Sequence, residues 1–269
     1  MLNTANAAGV VRQVHRSAIG KTAIGRSSME SMPAHFTPET MKFLRGVKRH
    51  NEREWFNARK HIYERELKAP MLALVDEITA AMAEFAPEHM RPASKIMMRI
   101  YRDTRFSHDK RPYKTHLAAW WSRRGMEKTS GGGYYVQIGP QGVMVAAGVY
   151  MPEREQLLAL RRWMAEHYKD YRALVKAARK SRAAGLTEIE ADALTRIPKG
   201  FAVDHPADEL LRAKNWGVRA NLPAELALEP TFAREIVRRM RLAAPVVDAL
   251  NGAILAGQPS VAPRARMWL

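Results

Sequence analysis

The sequence predicts an α+β fold, an antiparallel sheet of about four strands packed by N-terminal and C-terminal helices. Three observations predict it. Apolar residues recur at helical spacing from Thr37 to Pro87, and again from Pro152 onward. Between these stretches the period shortens to two. The later short runs are joined by too few residues for a crossover helix, so they pair antiparallel.

The first helix opens at Thr37-Pro38-Glu39: a capping hydroxyl, a proline that suits the first turn, and an acid at the positive end. Phe36 and Met41 stand at the spacing of a hydrophobic staple. Asn51 is expected to cap a second helix, with Glu54 completing a capping box and Trp55, Phe56, Ile62 and Tyr63 forming its apolar face. Pro70 starts or breaks a third helix, whose stripe is Met71, Leu74, Val75, Ile78 and Met82.

Ile96 to Tyr101 alternates and is expected to be the first strand. Leu117–Ser122 is the second. Tyr134–Ile138 and Val143–Tyr150 form a hairpin around Gly139-Pro140-Gln141-Gly142. Gly131-Gly132-Gly133 reads as a hinge or turn. Helix resumes after Pro152, and residues 185–222 look irregular apart from a short helix through Leu210 and Leu211. A last helix carries Phe232, Ile236, Met240, Val246 and Leu250. One α+β domain is expected over residues 32–256. Residues 1–31 read as a disordered extension or a mis-called start, and 257–269 as a tail.

Composition narrows the classes of function. The 269 residues contain no cysteine, which excludes disulfides, thiolate zinc sites and thiol catalysis. No apolar run reaches the length of a membrane span, and no secretory signal is present, so no membrane partner and a cytoplasmic location are expected. Lys and Arg outnumber Asp and Glu by 44 to 27, a formal charge of +17. The excess is concentrated: residues 91–128 hold eleven Lys and Arg against three acids. Such a balance favours nucleic acid or a phosphorylated ligand.

The densest part is Arg99-Ile-Tyr-Arg-Asp-Thr-Arg-Phe-Ser-His-Asp-Lys-Arg-Pro-Tyr-Lys114. A strand continued through residue 105 would place Arg99, Tyr101, Asp103 and Arg105 on one face. Arginine forks suit bidentate recognition of phosphate or carboxylate. Asp103 and Asp109 have the composition of a weak Mg²⁺ site, which the surrounding arginines oppose. The histidines show no zinc-type pairing, so neither metal nor cofactor is expected. Ser107 with His108 or His116 lacks the setting of a nucleophile elbow. Trp120, Trp121, Tyr134 and Tyr135 have the composition of a stacking platform, but they fit better a sheet whose neighbours point to opposite faces, since strands are aromatic-rich in any case.

The run Arg99-x-Tyr-Arg-Asp-x-Arg-Phe-Ser-x-Asp-Lys-x-Pro-Tyr-Lys114 resembles the signature of domain-of-unknown-function family 2461. Further matches are Phe36-Thr-Pro-Glu-Thr with Phe43-Leu44, Asn51 with Trp55-Phe56, Gly133-Tyr134-Tyr135, Gly148-x-Tyr150, Pro198-Lys-Gly-Phe201 and Asp204-His-Pro206 with Leu210-Leu211. The resemblance spans residues 33–255. It implies membership and no activity, so it carries no catalytic residue across.

Three functions are compatible with the residues. In the first, a non-enzymatic module binds nucleic acid or a phosphorylated ligand. Its contacts are Arg99, Tyr101, Arg102, Arg105, Ser107, Lys110, Tyr113, Lys114 and Tyr134. In the second, an enzyme uses Asp103 or Asp109 as base on a phosphate- or carboxylate-bearing substrate, with the arginines holding developing charge. In the third, the segment is scaffold and a protein partner supplies the function. An open basic surface, a convergent pocket or buried and fully paired aspartates would distinguish them.

Overall fold

The computed structural model describes residues 35–126 and 131–257. The expectations placed on residues 1–31 and on the tail beyond Gly257 lie outside the described residues.

Helix α1 (Pro38–Arg49) begins as its sequence demands. Phe36 and Met41 are both buried, and the Phe36 ring meets Phe232 edge-on at 6.1 Å. The Thr37 amide donates to Thr40 Oγ1 at 3.3 Å. A corner leads to α2 (Arg53–Ala58) and the short α3 (Lys60–Ile62). The chain then widens into a π-helical turn, Tyr63–Lys68, before α4 (Ala69–Met82). Pro70 therefore does not break the helix. It has no N–H for the Glu66 carbonyl four residues back. That oxygen instead accepts the Thr40 hydroxyl at 2.7 Å, which ties α1 to the π turn.

The sheet has five strands, not about four, and every pairing is antiparallel in the order β1-β2-β3-β5-β4. They are β1 (Leu117–Ser122), β2 (Gly133–Gly139), β3 (Gly142–Val149), β4 (Thr187–Glu188) and β5 (Trp216–Leu222). The expected β2–β3 hairpin forms in register, closing at Gly139 and Gly142. The expected strand over Ile96–Tyr101 does not form. Ala93–Ile96 is instead a helical turn, α5, opened by Pro92. Beyond it, Met97 and Tyr101 pair with the chain within and before β1 only at isolated bridges. β5 lies in the stretch read as irregular, although Trp216, Val218 and Ala220 alternate inward.

The two faces of the sheet differ. One cross-strand row, Trp121, Tyr134, Ala147 and Val218, is almost wholly buried. Helix α6 (Arg154–Arg179) and the short α7 (Asp208–Arg212), which carries Leu210 and Leu211 as expected, precede the last helix, α8 (Phe232–Ala256), which lies against β3 and β5 on this side and packs on both α4 and α6. The Trp121 indole N–H donates to Thr79 Oγ1 of α4 at 2.8 Å. The neighbouring row, Trp120, Tyr135, Ala146 and Arg219, belongs to the opposite face and is only partly buried.

Two glycine regions have structural reasons. Gly148 and Gly217 oppose each other across β3 and β5 at φ +148° and +152°. A Cβ on Gly217 would strike the Ala147 carbonyl and stand 2.8 Å from the Gly148 Cα. The Gly131–Gly133 run is an anchored entry to β2 and not a hinge. Asn251 of α8 accepts the Gly132 N–H at 2.8 Å and donates back to its carbonyl at 3.2 Å. A Cβ on Gly133 would stand 2.8 Å from the Trp120 ring.

Candidate anion-binding hairpin

Residues 97–119 double back on themselves at the β1 edge of the sheet. Met97 bridges Ala119, and Tyr101 bridges Tyr113. The Met98 amide donates to the Ala118 carbonyl, Lys114 to Ile100 and Arg102 to Pro112, each at 2.8 Å. Pro112 can accept such a bond but cannot return one, which confines the pairing to this narrow ladder. Between the two legs, residues 103–111 make the tip.

The base of the hairpin is fastened to the N-terminal helices. Tyr101 and Tyr113 form the bridge position whose own backbone groups point outward, since the flanking residues make the ladder bonds. Asn51 meets the outward edge. Its Oδ1 accepts the Tyr113 N–H at 2.9 Å and its Nδ2 donates to the Tyr113 carbonyl at 3.0 Å. Asn51 thus stands in for the peptide of a further strand, and Glu52, not Asn51, occupies the N-cap position of α2. The Tyr113 ring stacks on Phe56 at 4.1 Å, and Tyr101 contacts both rings. Burial raises the Tyr113 phenol above its usual range.

The charges of the tip are ordered by its two acids. Asp103 takes the Arg105 guanidinium through both oxygens, at 3.0 and 2.8 Å, and also accepts the Arg105 amide. These bonds hold its carboxyl down to about 2. Asp109 accepts Arg111 at 2.7 Å and Arg102 at 2.6 Å, and its carboxyl is likewise depressed, first by Arg111. Arg102 also reaches the Arg111 carbonyl at 3.2 Å, closing the base of the loop. Both acids are therefore ion-pair partners that stay ionised.

Arg99, Lys110 and Lys114 have no carboxylate partner among the described residues. The Lys110 ammonium donates to the Thr104 carbonyl at 3.1 Å. Lys114 is half-buried, and burial followed by the neighbouring Arg99 lowers its pKa. His116 next along is lowered by burial and then by Lys114. Arg99 and Lys114 thus lie close to each other, with Asp103 the acid that Arg99 faces, while Lys110 stands at the tip.

The expected one-face array of Arg99, Tyr101, Asp103 and Arg105 is absent, because Arg105 and Phe106 form a turn that folds Arg105 back on Asp103. Tyr101 is 47% exposed, whereas Tyr113 retains 3%. Tyr134 is not part of this surface. It has no exposed area and packs on His89 and Phe85 in the helical layer. Ser107 is partly buried and makes no hydrogen bond with His108 or His116. Among the described residues no three His, Asp or Glu side chains gather as a metal-holding group, and no helix is long and apolar enough to cross a membrane.

Phe106 at the tip is 93% exposed, with the Arg105 guanidinium 5.7 Å from its ring centre. Its setting in the sequence, between Arg105 and Ser107 with no apolar neighbour, is the signal that a phenylalanine there lacks a core to enter. Asn51 stands out in the sequence as a helix cap and in the family resemblance, but nothing local announces its clamp on Tyr113, 62 residues away.

The family model for the conserved hypothetical proteins of DUF2461 matches residues 39–248. The chain belongs to this family. The match takes in the whole hairpin, its Asn51 clamp and all five strands, so the DUF2461 fold in this chain comprises the sheet together with both helical groups. No curated protein and no solved structure matches the chain.

Proposed function

We propose that this DUF2461 protein is a non-enzymatic anion-binding module whose 99–114 hairpin holds the phosphate backbone of a nucleic acid. The observation that carries the reading is the form of the hairpin. It is an open projection with six Lys and Arg against two Asp, and its tip bears a fully presented Phe106. Phosphate contacts need cations that reach outward, and an exposed ring offers a stacking face to any base. Arg99, Lys110 and Lys114 would meet phosphate directly. Arg102 and Arg105 keep N–H groups beyond those that their aspartates use, since a guanidinium has five. Tyr101 and Ser107 would contribute hydroxyls at the edge.

The enzymatic reading fares less well. A catalytic base must be ready to take a proton near neutral pH. Asp103 and Asp109 are both depressed by their guanidinium partners and exposed to water. A phosphorylated small ligand would need a concave site around the segment, whereas Arg105, Phe106, Lys110 and Arg111 stand exposed on the tip.

The test is fluorescence anisotropy of the full chain with labelled single- and double-stranded oligonucleotides over a salt series. Each cation on phosphate adds about one to the slope of log K against log salt. An Arg99→Gln/Lys110→Gln variant is expected to lose about two from that slope at unchanged melting temperature. Phe106→Ala is expected to weaken single-strand binding by about 1–3 kcal/mol at an unchanged slope. Binding that is absent, or that neither variant alters, refutes the reading.

A further inference from the structure

The sheet face away from the helices carries a cavity of about 460 Å³, within the range of small-molecule sites. Its floor is the cross-strand row Trp120, Tyr135, Ala146 and Arg219. Trp120 and Tyr135 offer two ring surfaces with centres 6.4 Å apart. Ala146 and Gly148 beside them carry almost no side chain, which leaves the room above the floor. The phenol is already engaged, donating to Gln137 Oε1 at 3.1 Å.

The far wall is acidic and hydrogen-bonded to the sheet. Residues 189–194 strap along β5 and the residues before it, through Ile189 N–H to Gly217 O, Lys214 N–H to Asp192 O and Leu194 N–H to Arg212 O. This strap brings Glu190 and Asp192 to the cavity. Among the described residues Arg219 is the one cationic side chain in the lining, and Glu190 meets it at 3.4 Å. Asn215 also lines the cavity. It is 7% exposed, and its Oδ1 is buried with no hydrogen-bond partner.

We propose that this cavity binds a planar, amino-substituted heteroaromatic molecule without a phosphate, the class to which adenine, guanine and cytosine belong. A flat ring suits the aromatic floor. An acceptor-rich wall suits exocyclic amino groups and repels an anion. The site is separate from the hairpin proposal, and it uses none of the tip residues.

The experiment is isothermal titration calorimetry of the full chain with adenosine, guanosine, cytidine, uridine and adenosine 5′-monophosphate. Ala146→Leu fills the floor between Tyr135 and Arg219, and Asp192→Asn removes charge from an exposed position. Neither side chain belongs to the core, and equal melting temperatures are the check on folding. An aminated nucleoside is expected to bind saturably and to lose about tenfold or more in affinity in Ala146→Leu, a loss of about 1.4 kcal/mol. Asp192→Asn is expected to narrow the gap between adenosine and its monophosphate. Three outcomes each overturn the proposal: no saturable binding of any aminated nucleoside, binding that Ala146→Leu leaves intact, or uridine bound as tightly as cytidine.

Discussion

Removing the Asn51 side chain tests how the hairpin is held. In Asn51→Ala the Tyr113 N–H and carbonyl lose partners at 2.9 and 3.0 Å. Tyr113 retains 3% of its surface and lies under Phe56, which limits the water that can replace the amide. Each bond contributes about 0.5–1.5 kcal/mol net, and a buried group left without a partner costs about 1–3 kcal/mol. The part-exposed setting of Asn51 favours the lower end, so a loss of about 2–3 kcal/mol is expected. Urea unfolding should show it as a lower midpoint at unchanged slope, since no apolar surface is uncovered in the folded state. Native-state hydrogen exchange gives the local reading: the Tyr113 amide should exchange at least about tenfold faster. A loss below about 0.5 kcal/mol, or an unchanged Tyr113 amide, would mean that the Phe56–Tyr113 stack alone seats the hairpin.

Two further perturbations probe the body of the fold. Gly217→Ala should cost about 3 kcal/mol or more by thermal unfolding, because its Cβ meets β3 backbone at a φ that side chains rarely adopt; a loss under about 1 kcal/mol would show that β3 and β5 separate without strain. His89 is buried against Tyr134, and burial first, then Arg123, lowers its pKa from 6.5 to about 4. The unfolded chain therefore takes up this proton first as the pH falls. The stabilisation is complete above about 6.5 and is lost between there and about 4, to an extent of about 3 kcal/mol. His89→Phe, which leaves no buried imidazole nitrogen behind, should remove that part of the pH dependence from urea midpoints; an unchanged profile would place the titration elsewhere. The carboxyl of Asp248, raised by partial desolvation and then by Glu88, acts in the opposite sense and remains in the variant.

The parts of the fold legible in sequence are those whose partners lie close along the chain. Phe36 and Met41 are five positions apart and announce α1. Gly139-Pro140-Gln141-Gly142 announces the β2–β3 turn. β5 carries an equally plain alternation at Trp216, Val218 and Ala220, yet its principal partner β3 lies far upstream across α6. Nothing local distinguishes that alternation from a loop amid prolines. The basic segment is legible as a concentration of charge, but not as a geometry. Its alternation suggests a strand, and the structure has a helical turn at Ala93–Ile96 followed by a bridged hairpin. Period-two spacing gives faces only where a ladder continues, and here Arg105 turns back on Asp103.

The same dependence on distant partners hides the cavity from the sequence altogether. Trp120 and Tyr135 are visible as aromatics, and alternation alone sends Trp121 and Tyr134 to the other side, as the structure does. The missing information is what stands opposite the open face. Glu190 and Asp192 reach it because the strap after β4 runs back along β5 and the residues before it, where Asn215 stands. The outcome is a protein with two electrostatically opposed regions. Met98 lines the acidic cavity, and the next residue, Arg99, begins the basic hairpin. Under the two proposals an anion would be favoured on one side of that junction and disfavoured on the other. The whole-chain charge of +17 therefore describes neither region. It is the placement of a few acids, Asp103 and Asp109 among the arginines and Glu190 and Asp192 over the aromatic floor, that sets the charge each region presents.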